Sequence, residues 1–297
     1  MRRRDLPEGL PATFRVIDAM ARGATRGQLR NPELHHPHHG SRARDQPTCV
    51  EEAAVQLLAT LTQHPVALCG TTAAQIHRMP GVADWVPDDV LHVMTRTMSG
   101  RVRRKRVEGR RGLERRATTL LNGLPVTDAV DTWRDLATEL PLDDLIIAGD
   151  WLLGPRSTRS IDELSAALRP GDRGAARAVA ALKEIRAGSA SPAETRTRLV
   201  LVRAGLPEPE LNVNLVSESG WVANVDMYWR RWNYALDYDG RHHRERGEQL
   251  DRDLDRERLI RASGFGYDRV SNKHLRGDRP EVIGIASRGL RAAGWRP

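Results

Sequence analysis

The sequence predicts a mixed α/β protein of two regions joined by a helical linker. Three observations carry that expectation. At 297 residues the chain is long enough to bury two separate cores. Stretches of helical period alternate with short apolar runs of strand length. Two segments rich in Gly, Ser, Pro and Arg, Leu153–Ser160 (LGPRSTRS) and Ala187–Glu194 (AGSASPAE), interrupt the pattern. The expected organisation is an N-terminal region over 1–154, a helical linker over 155–190 and a C-terminal domain over 191–297.

Composition narrows the function classes. A chain 39% hydrophobic and 29% charged suits a globular protein in water. No run approaches the roughly 18 apolar residues that span a membrane. The opening MRRRDLPEGLPATFR is basic without an apolar stretch behind it, so no secretory signal is expected and the cytoplasm is the expected location. Cys49 and Cys69 are too few for a disulfide framework. The net charge is +8, and Arg96–Arg116 alone carries +8, with ten Arg or Lys against Glu108 and Glu114. Such a strip suits a phosphate backbone, and Arg101, Arg103, Arg104 and Arg106 are its candidate contacts. With 44 arginines and three lysines, the same run also reads as a solvated hairpin.

The N-terminal elements follow in order. Thr13–Pro32 reads as two short helices broken at Gly23, a helix-turn-helix candidate in which Thr25 caps the second helix. HHPHHG, with Pro37 and Gly40, reads as a turn rather than a metal site. Val50–Gln63 and Thr71–Arg78 have helical character, and LHVMT and RVRRKRV read as strands joined through MSG. TDAVDTWRDLATEL and PLDDLIIAGDWLL are helices, the first capped by Thr127 and the second opened by Pro141. Two amphipathic helices near Ile161–Leu168 and Gly174–Ala187 fill the linker.

The C-terminal domain is more specific. Ser191 and Glu194 form a capping box with Pro192 at the first helical position, and this helix runs to Ala204. LNVNLV, WVANVDMYW and YALDYDG follow as three antiparallel strands. A charged helix (about Glu248–Ser263) and a strand near Tyr267–Val270 complete an α-β-β-β-α-β order. Strict alternation puts Ala223, Val225, Met227 and Trp229 on one face. If RRWN is a four-residue loop, Trp229 pairs with Tyr234. Asp226 then lies opposite Asp237 at about 4.5–5.5 Å between Cβ atoms, with Asp239 two residues further along that face. Three such carboxylates repel and raise one another's pKa unless a cation joins them, and an oxygen-rich site of this kind suits Mg²⁺ or Mn²⁺. The same acids also read as a surface face neutralised by nearby arginines.

The run SPAETRTRL, AGLPEPELNVN, VDMYW, YALDYDGRHH and DLDRERLIRASGF resembles a group of the PD-(D/E)XK nuclease superfamily related to very-short-patch-repair (Vsr-like) endonucleases. That resemblance implies a restriction-endonuclease-like domain over about 191–297. Its helix acid falls on Glu194, its strand acids on Asp226 and Asp237, and its Asp-Gly with a following histidine on Asp239, Gly240 and His243. Its D-x-x-R pair on the next helix falls on Asp253 and Arg256, and its late-strand arginine on Arg269. Asp239 replaces the superfamily lysine, as the related group has it, and Asp237 stands where relatives more often carry Glu. The segments FRVIDAMARGATRGQLRNP, TAAQIHRMPGV and GLPVTDAVDTWRDLATELPLDDLIIAGDWLL resemble AbiEi-type antitoxin proteins of type IV toxin–antitoxin systems. This implies a winged-helix-like DNA-binding start, although HHGSRARDQ replaces the apolar wing strand.

Two functions follow as expectations. The first is a divalent-metal-dependent DNA endonuclease or nicking enzyme acting on a nucleic acid, double-stranded DNA first. Asp226 and Asp237 hold the ion, Glu194 binds a second ion or steadies the first, and Asp239 or His243 handles the attacking water. Arg241, Arg256 and Arg269 contact phosphate. The second is a non-catalytic DNA-binding regulator of the antitoxin type, with a cognate toxin as partner and the nuclease fold as scaffold. No membrane partner is expected, and the sequence leaves the oligomeric state open.

Overall fold

The structure, a computed structural model, describes residues 6–61, 65–169, 171–218, 220–240, 247–277 and 280–297, with 247–253 in backbone only. The fold is mixed α/β, as expected. The chain forms two compact units: Met1–Leu140 with Arg169–Ala175, and Pro141–Leu168 with Ala176–Pro297. No helix among the described residues is long and apolar enough to cross a membrane.

In the first unit, β1 (Thr13–Arg15) leads into α1 (Val16–Ala21), and α2 (Arg26–Leu29) follows. Gly23 turns the chain at a φ of +91°, and Thr25 and Gln28 form a reciprocal capping box. The helix-turn-helix is therefore present in outline, but its second helix is a single turn. β2 (Ser41–Ala43) pairs antiparallel with β1 inside HHGSRARDQ, the polar segment that replaces the apolar wing strand. It forms because the small Ser41 and Ala43 are buried while Arg42 points outward and donates to the Leu29 carbonyl.

Beyond α3 (Val50–Leu58), the unit builds a six-stranded sheet. Its elements are β3 (Val66–Leu68), α4 (Gly70–Ile76), β4 (Leu91–Thr95), β5 (Arg103–Arg104), β6 (Val107–Arg111), β7 (Thr118–Leu121), β8 (Leu124–Thr127) and α5 (Ala129–Leu136). The sheet order is β5-β6-β4-β3-β8-β7. The expected strand RVRRKRV is divided. Arg106, at a φ of +58°, turns β5 back onto β6, and β6 rather than β5 pairs with β4, in parallel. Leu57, Leu68, Val93 and Val126 centre the core beneath.

The second unit contains α6 (Leu142–Leu152), α7 (Ile161–Ala167), α8 (Ala175–Glu184), α9 (Pro192–Arg203), β9 (Glu210–Ser217), β10 (Gly220–Trp229), β11 (Tyr234–Asp239), α10 (Gly247–Ala262), β12 (Gly266–Ser271) and α11 (Glu281–Ala292). From α9 onward this is the α-β-β-β-α-β order read from the sequence, with α11 added. The sheet order is β12-β11-β10-β9, with β11 and β12 parallel and the other pairs antiparallel. The contact division falls at Leu140, whereas the sequence reading carried the first region to 154. α6 accounts for the difference. Its fully buried Asp150 accepts from Arg198 and Thr195 of α9 and from the Arg186 amide, so α6 is part of the second core.

Candidate functional site

The two faces of the second sheet carry separate cores. Leu201, Met227, Trp229, Tyr234, Leu236 and Val282 form one, with α9 and α11. Ala223, Val225, Tyr228, Ala235, Ile260 and Tyr267 form the other, with α10. The expected single face of Ala223, Val225, Met227 and Trp229 is thus divided. β9 changes in step, because Leu211 packs in the first core and Val213 and Leu215 in the second. Between them Asn212 has a φ of +49°, a left-handed residue that uses up one strand position and inverts the alternation. Asp226 holds the matching place on β10, between the pairs Val225–Val213 and Met227–Leu211.

β10 and β11 pair through Trp229–Tyr234, Tyr228–Ala235 and Met227–Leu236, the register that a four-residue RRWN loop requires. The ladder stops there, one pair short of the acids, and side chains take over. The Asp226 N–H donates to Asp237 Oδ1 at 3.0 Å, and the Tyr238 N–H donates to Asp226 Oδ2 at 2.6 Å. Each carboxylate satisfies a main-chain donor of the opposite strand. These bonds explain why two acids interrupt apolar strands.

Their environments differ. Asp237 is 6% exposed, and its Oδ2 accepts from Arg256 Nη1 at 2.5 Å and from the Tyr267 hydroxyl at 2.8 Å. Burial and this carboxylate push the Tyr267 hydroxyl up to about 12. Among the described residues no such cation is bonded to Asp226. Burial, then the charges of Asp237 and Glu194, push its carboxyl up to about 7, against the opposing pull of the Tyr238 amide and Arg256. The repulsion expected among the acids therefore falls on Asp226, while Asp237 has Arg256 as its countercharge and the Tyr267 hydroxyl as a further donor.

Asp226, Asp237, Tyr238, Asp239, Gly240, Arg256 and Arg269 line a polar cleft of about 310 Å³. Arg269 Nη1 stands 3.9 Å from Asp239 Oδ2. Arg256 is not presented to a phosphate as expected, because it bridges Asp237 and the Asn224 carbonyl. Glu194 is not presented as a ligand either. Its oxygens accept from the Ala190 amide, the Ser191 hydroxyl and the Asn212 amide, at 2.8–2.9 Å, as part of the α9 cap. Arg241 and His243 lie outside the described residues, as does the Asp253 side chain.

No group of three or more His, Cys, Asp or Glu side chains among the described residues is placed to hold a metal. Asp226 and Asp237 are joined through the main chain and share the cleft with Asp239, while Glu194 acts on Asp226 by its charge with its oxygens bonded in the α9 cap. Two carboxylates are compatible with Mg²⁺ or Mn²⁺, since Mg²⁺ is commonly held by one or two carboxylates plus water and substrate oxygens. Asp237 Oδ1, with one donor bonded, retains a lone pair. Like charges raising Asp226 mark a place where a cation is electrostatically favoured.

The basic strip is also divided. Arg104 donates to the carbonyls of His39 and Thr60, and Arg106 pairs with Asp88, so both are structural. Arg101 and Arg103 are exposed and line a shallow groove with Lys105. Sequence reasoning missed Tyr267 and Asn212. No local pattern marks Tyr267, whose hydroxyl reaches Asp237 only because β12 lies beside β11; Asn212 had only the preference of Asn for positive φ.

No protein-family model matches the chain, and no curated protein matches it. Among solved structures it is similar to the crystal structure of the RV2827C protein from Mycobacterium tuberculosis. The identity is 17%, the match covers 71% of this chain and 86% of that one, and the TM-score is 0.44.

Proposed function

We propose that the second unit is a divalent-metal-dependent phosphodiesterase acting on nucleic acid, with Asp226 and Asp237 as its acid pair. The observation that carries this reading is the Asp226 carboxyl, held up at about 7 on a cleft that also presents Asp239 and Arg269. Asp226 and Asp237 Oδ1 would hold Mg²⁺ or Mn²⁺. When bound, the ion supplies a water activated at neutral pH and positive charge for the phosphoryl oxygens. Arg256 and Tyr267 fix Asp237, Asp239 lies within the cleft to take a proton, and Arg269 adds positive charge toward a phosphate.

The test is cleavage of supercoiled plasmid and of single-stranded and mismatched oligonucleotides with Mg²⁺, Mn²⁺ or EDTA. The expected result is metal-dependent cleavage lost by orders of magnitude in Asp226→Asn. Cleavage by this variant at the wild-type rate would exclude Asp226 from the chemistry.

A second reading, a DNA-binding regulator of the antitoxin type with a toxin partner, has one observation in its favour. Asp237 is bonded as a structural aspartate, by Arg256, Tyr267 and the Asp226 amide. It predicts DNA binding without metal-dependent cleavage, unchanged by Asp226→Asn.

A further inference from the structure

The β9–β10 hairpin carries an exposed aromatic that no core uses. Trp221 is 67% exposed and pairs across the hairpin with Val216, 64% exposed. Its indole N–H donates to Asn214 Oδ1 at 3.3 Å, and Asn224 Nδ2 donates to the same oxygen at 3.3 Å. Asn214 pairs with Asn224 while the adjacent pair Leu215–Ala223 packs in the α10 core, so the indole and both amides lie on the opposite face. Asn224 Nδ2 also reaches the Asn212 carbonyl, and the Asn212 amide bonds Glu194. A strip of one indole and the carboxamides of Asn214 and Asn224 thus runs along this face, and Asn212 at its end spends its amide on Gly188 and Glu194. Asp226 follows Asn224 by two residues on the same strand, at the place where the alternation inverts.

We infer that this strip is a subsite for unpaired nucleobases, with Trp221 as the stacking platform for a strand whose phosphate lies at the acid pair. The inference rests on the proposed phosphodiesterase reading. Three features select this occupant. A flat indole fixed by its own hydrogen bond stacks on any base at little entropic cost. Carboxamides of Asn pair with base edges. From Trp221 to Asp226 the chain spans at most about 16 Å at roughly 3.3 Å per residue, enough for two or three nucleotides. The strip reaches toward the cleft through Asn212, which bonds Glu194, whose charge acts on Asp226. In duplex DNA the faces of the bases are already stacked on each other, so the strip favours single-stranded or unpaired segments.

The experiment measures binding of the full chain in EDTA, where no cleavage occurs, to a single-stranded oligonucleotide and to a duplex of equal length. A 2-aminopurine placed along the strand reports stacking. Trp221→Ala should weaken single-strand binding by roughly five- to 150-fold, the span of one base–aromatic stack, and abolish the 2-aminopurine quench. Trp221→Phe should keep most of both, and duplex binding should not change. Equal single-strand affinity in wild type and Trp221→Ala overturns the inference. So does concentration-dependent dimerisation of the wild type that Trp221→Ala removes, because a second copy would then cover the indole. The two proposals separate cleanly. An effect of Trp221→Ala in a protein that never cleaves leaves the subsite standing and removes the phosphodiesterase. Metal-dependent cleavage with no Trp221 effect does the reverse.

Discussion

Asp226 and Asp237 are neighbours of the same residue type, and substitution should separate them. Asp226 has a folded pKa of about 7 against an unfolded value near 3.9. The folded state therefore holds this proton more tightly. The stabilisation is full below about pH 4 and is lost as pH rises toward 7. Asp226→Asn, which resembles the protonated acid, should raise the metal-free thermal midpoint at pH 8 and leave it nearly unchanged at pH 4. Equal loss at both pH values would mean the carboxylate is needed for the fold. Mn²⁺ should raise the wild-type midpoint more at pH 8 than at pH 5, and do neither in Asp226→Asn. Asp237→Asn should behave oppositely. The sequence alone suggests that removing its charge relieves repulsion; the Arg256 and Tyr267 bonds reverse that expectation. The variant should lose about 1–3 kcal/mol in denaturant titration, toward the low end because Arg256 is one-third exposed.

At the scale of elements, the sheet depends on the phase change shared by β9 and β10. Asn212→Val places a β-branched side chain at a φ of +49° and removes the side-chain bonds to Gly188 and Glu194. It should cost about 1–2 kcal/mol in left-handed strain alone, while Asn212→Gly should lose only the side-chain bonds. Comparable denaturant midpoints for the two would show that the left-handed geometry is dispensable. This phase change is also where legibility ended. The capped start of α9, the RRWN loop and the approach of Asp226 to Asp237 are local consequences of residue type and spacing, and the sequence carried them. The faces of Ala223 and Val225 were misread because one left-handed residue on the neighbouring strand inverts a period that assumes none. The partners of Asp237 depend on α10 and β12 meeting over it, which no local pattern encodes. One strand pair in the first unit was legible and overlooked. Asn122 and Gly123, both at positive φ, join β7 to β8, and Asn-Gly between short strands is a strong hairpin signal.

For the whole molecule, the +8 charge is not equivalent to eight contacts. Arg104 and Arg106 are spent on carbonyls and on Asp88, leaving Arg101 and Arg103 as the exposed pair. If the strip meets a phosphate backbone, Gln at Arg101 and Arg103 should flatten the salt dependence of DNA binding by about 0.9 in slope for each lost contact. Arg104→Gln should instead lower the thermal midpoint. A slope unchanged by the double variant would make the strip a solvated hairpin. The left-handed Asn212 has a consequence for the molecule in a crowded solution as well. β9 is the outermost strand of its sheet, and an outermost strand is a template on which other chains add. Gly188 already lies against Leu211, and the twist at Asn212 breaks the row of main-chain groups beyond it. Fibrillar growth from this border would have to begin on the five residues Val213–Ser217, fewer than the six or seven that seed an ordered zipper.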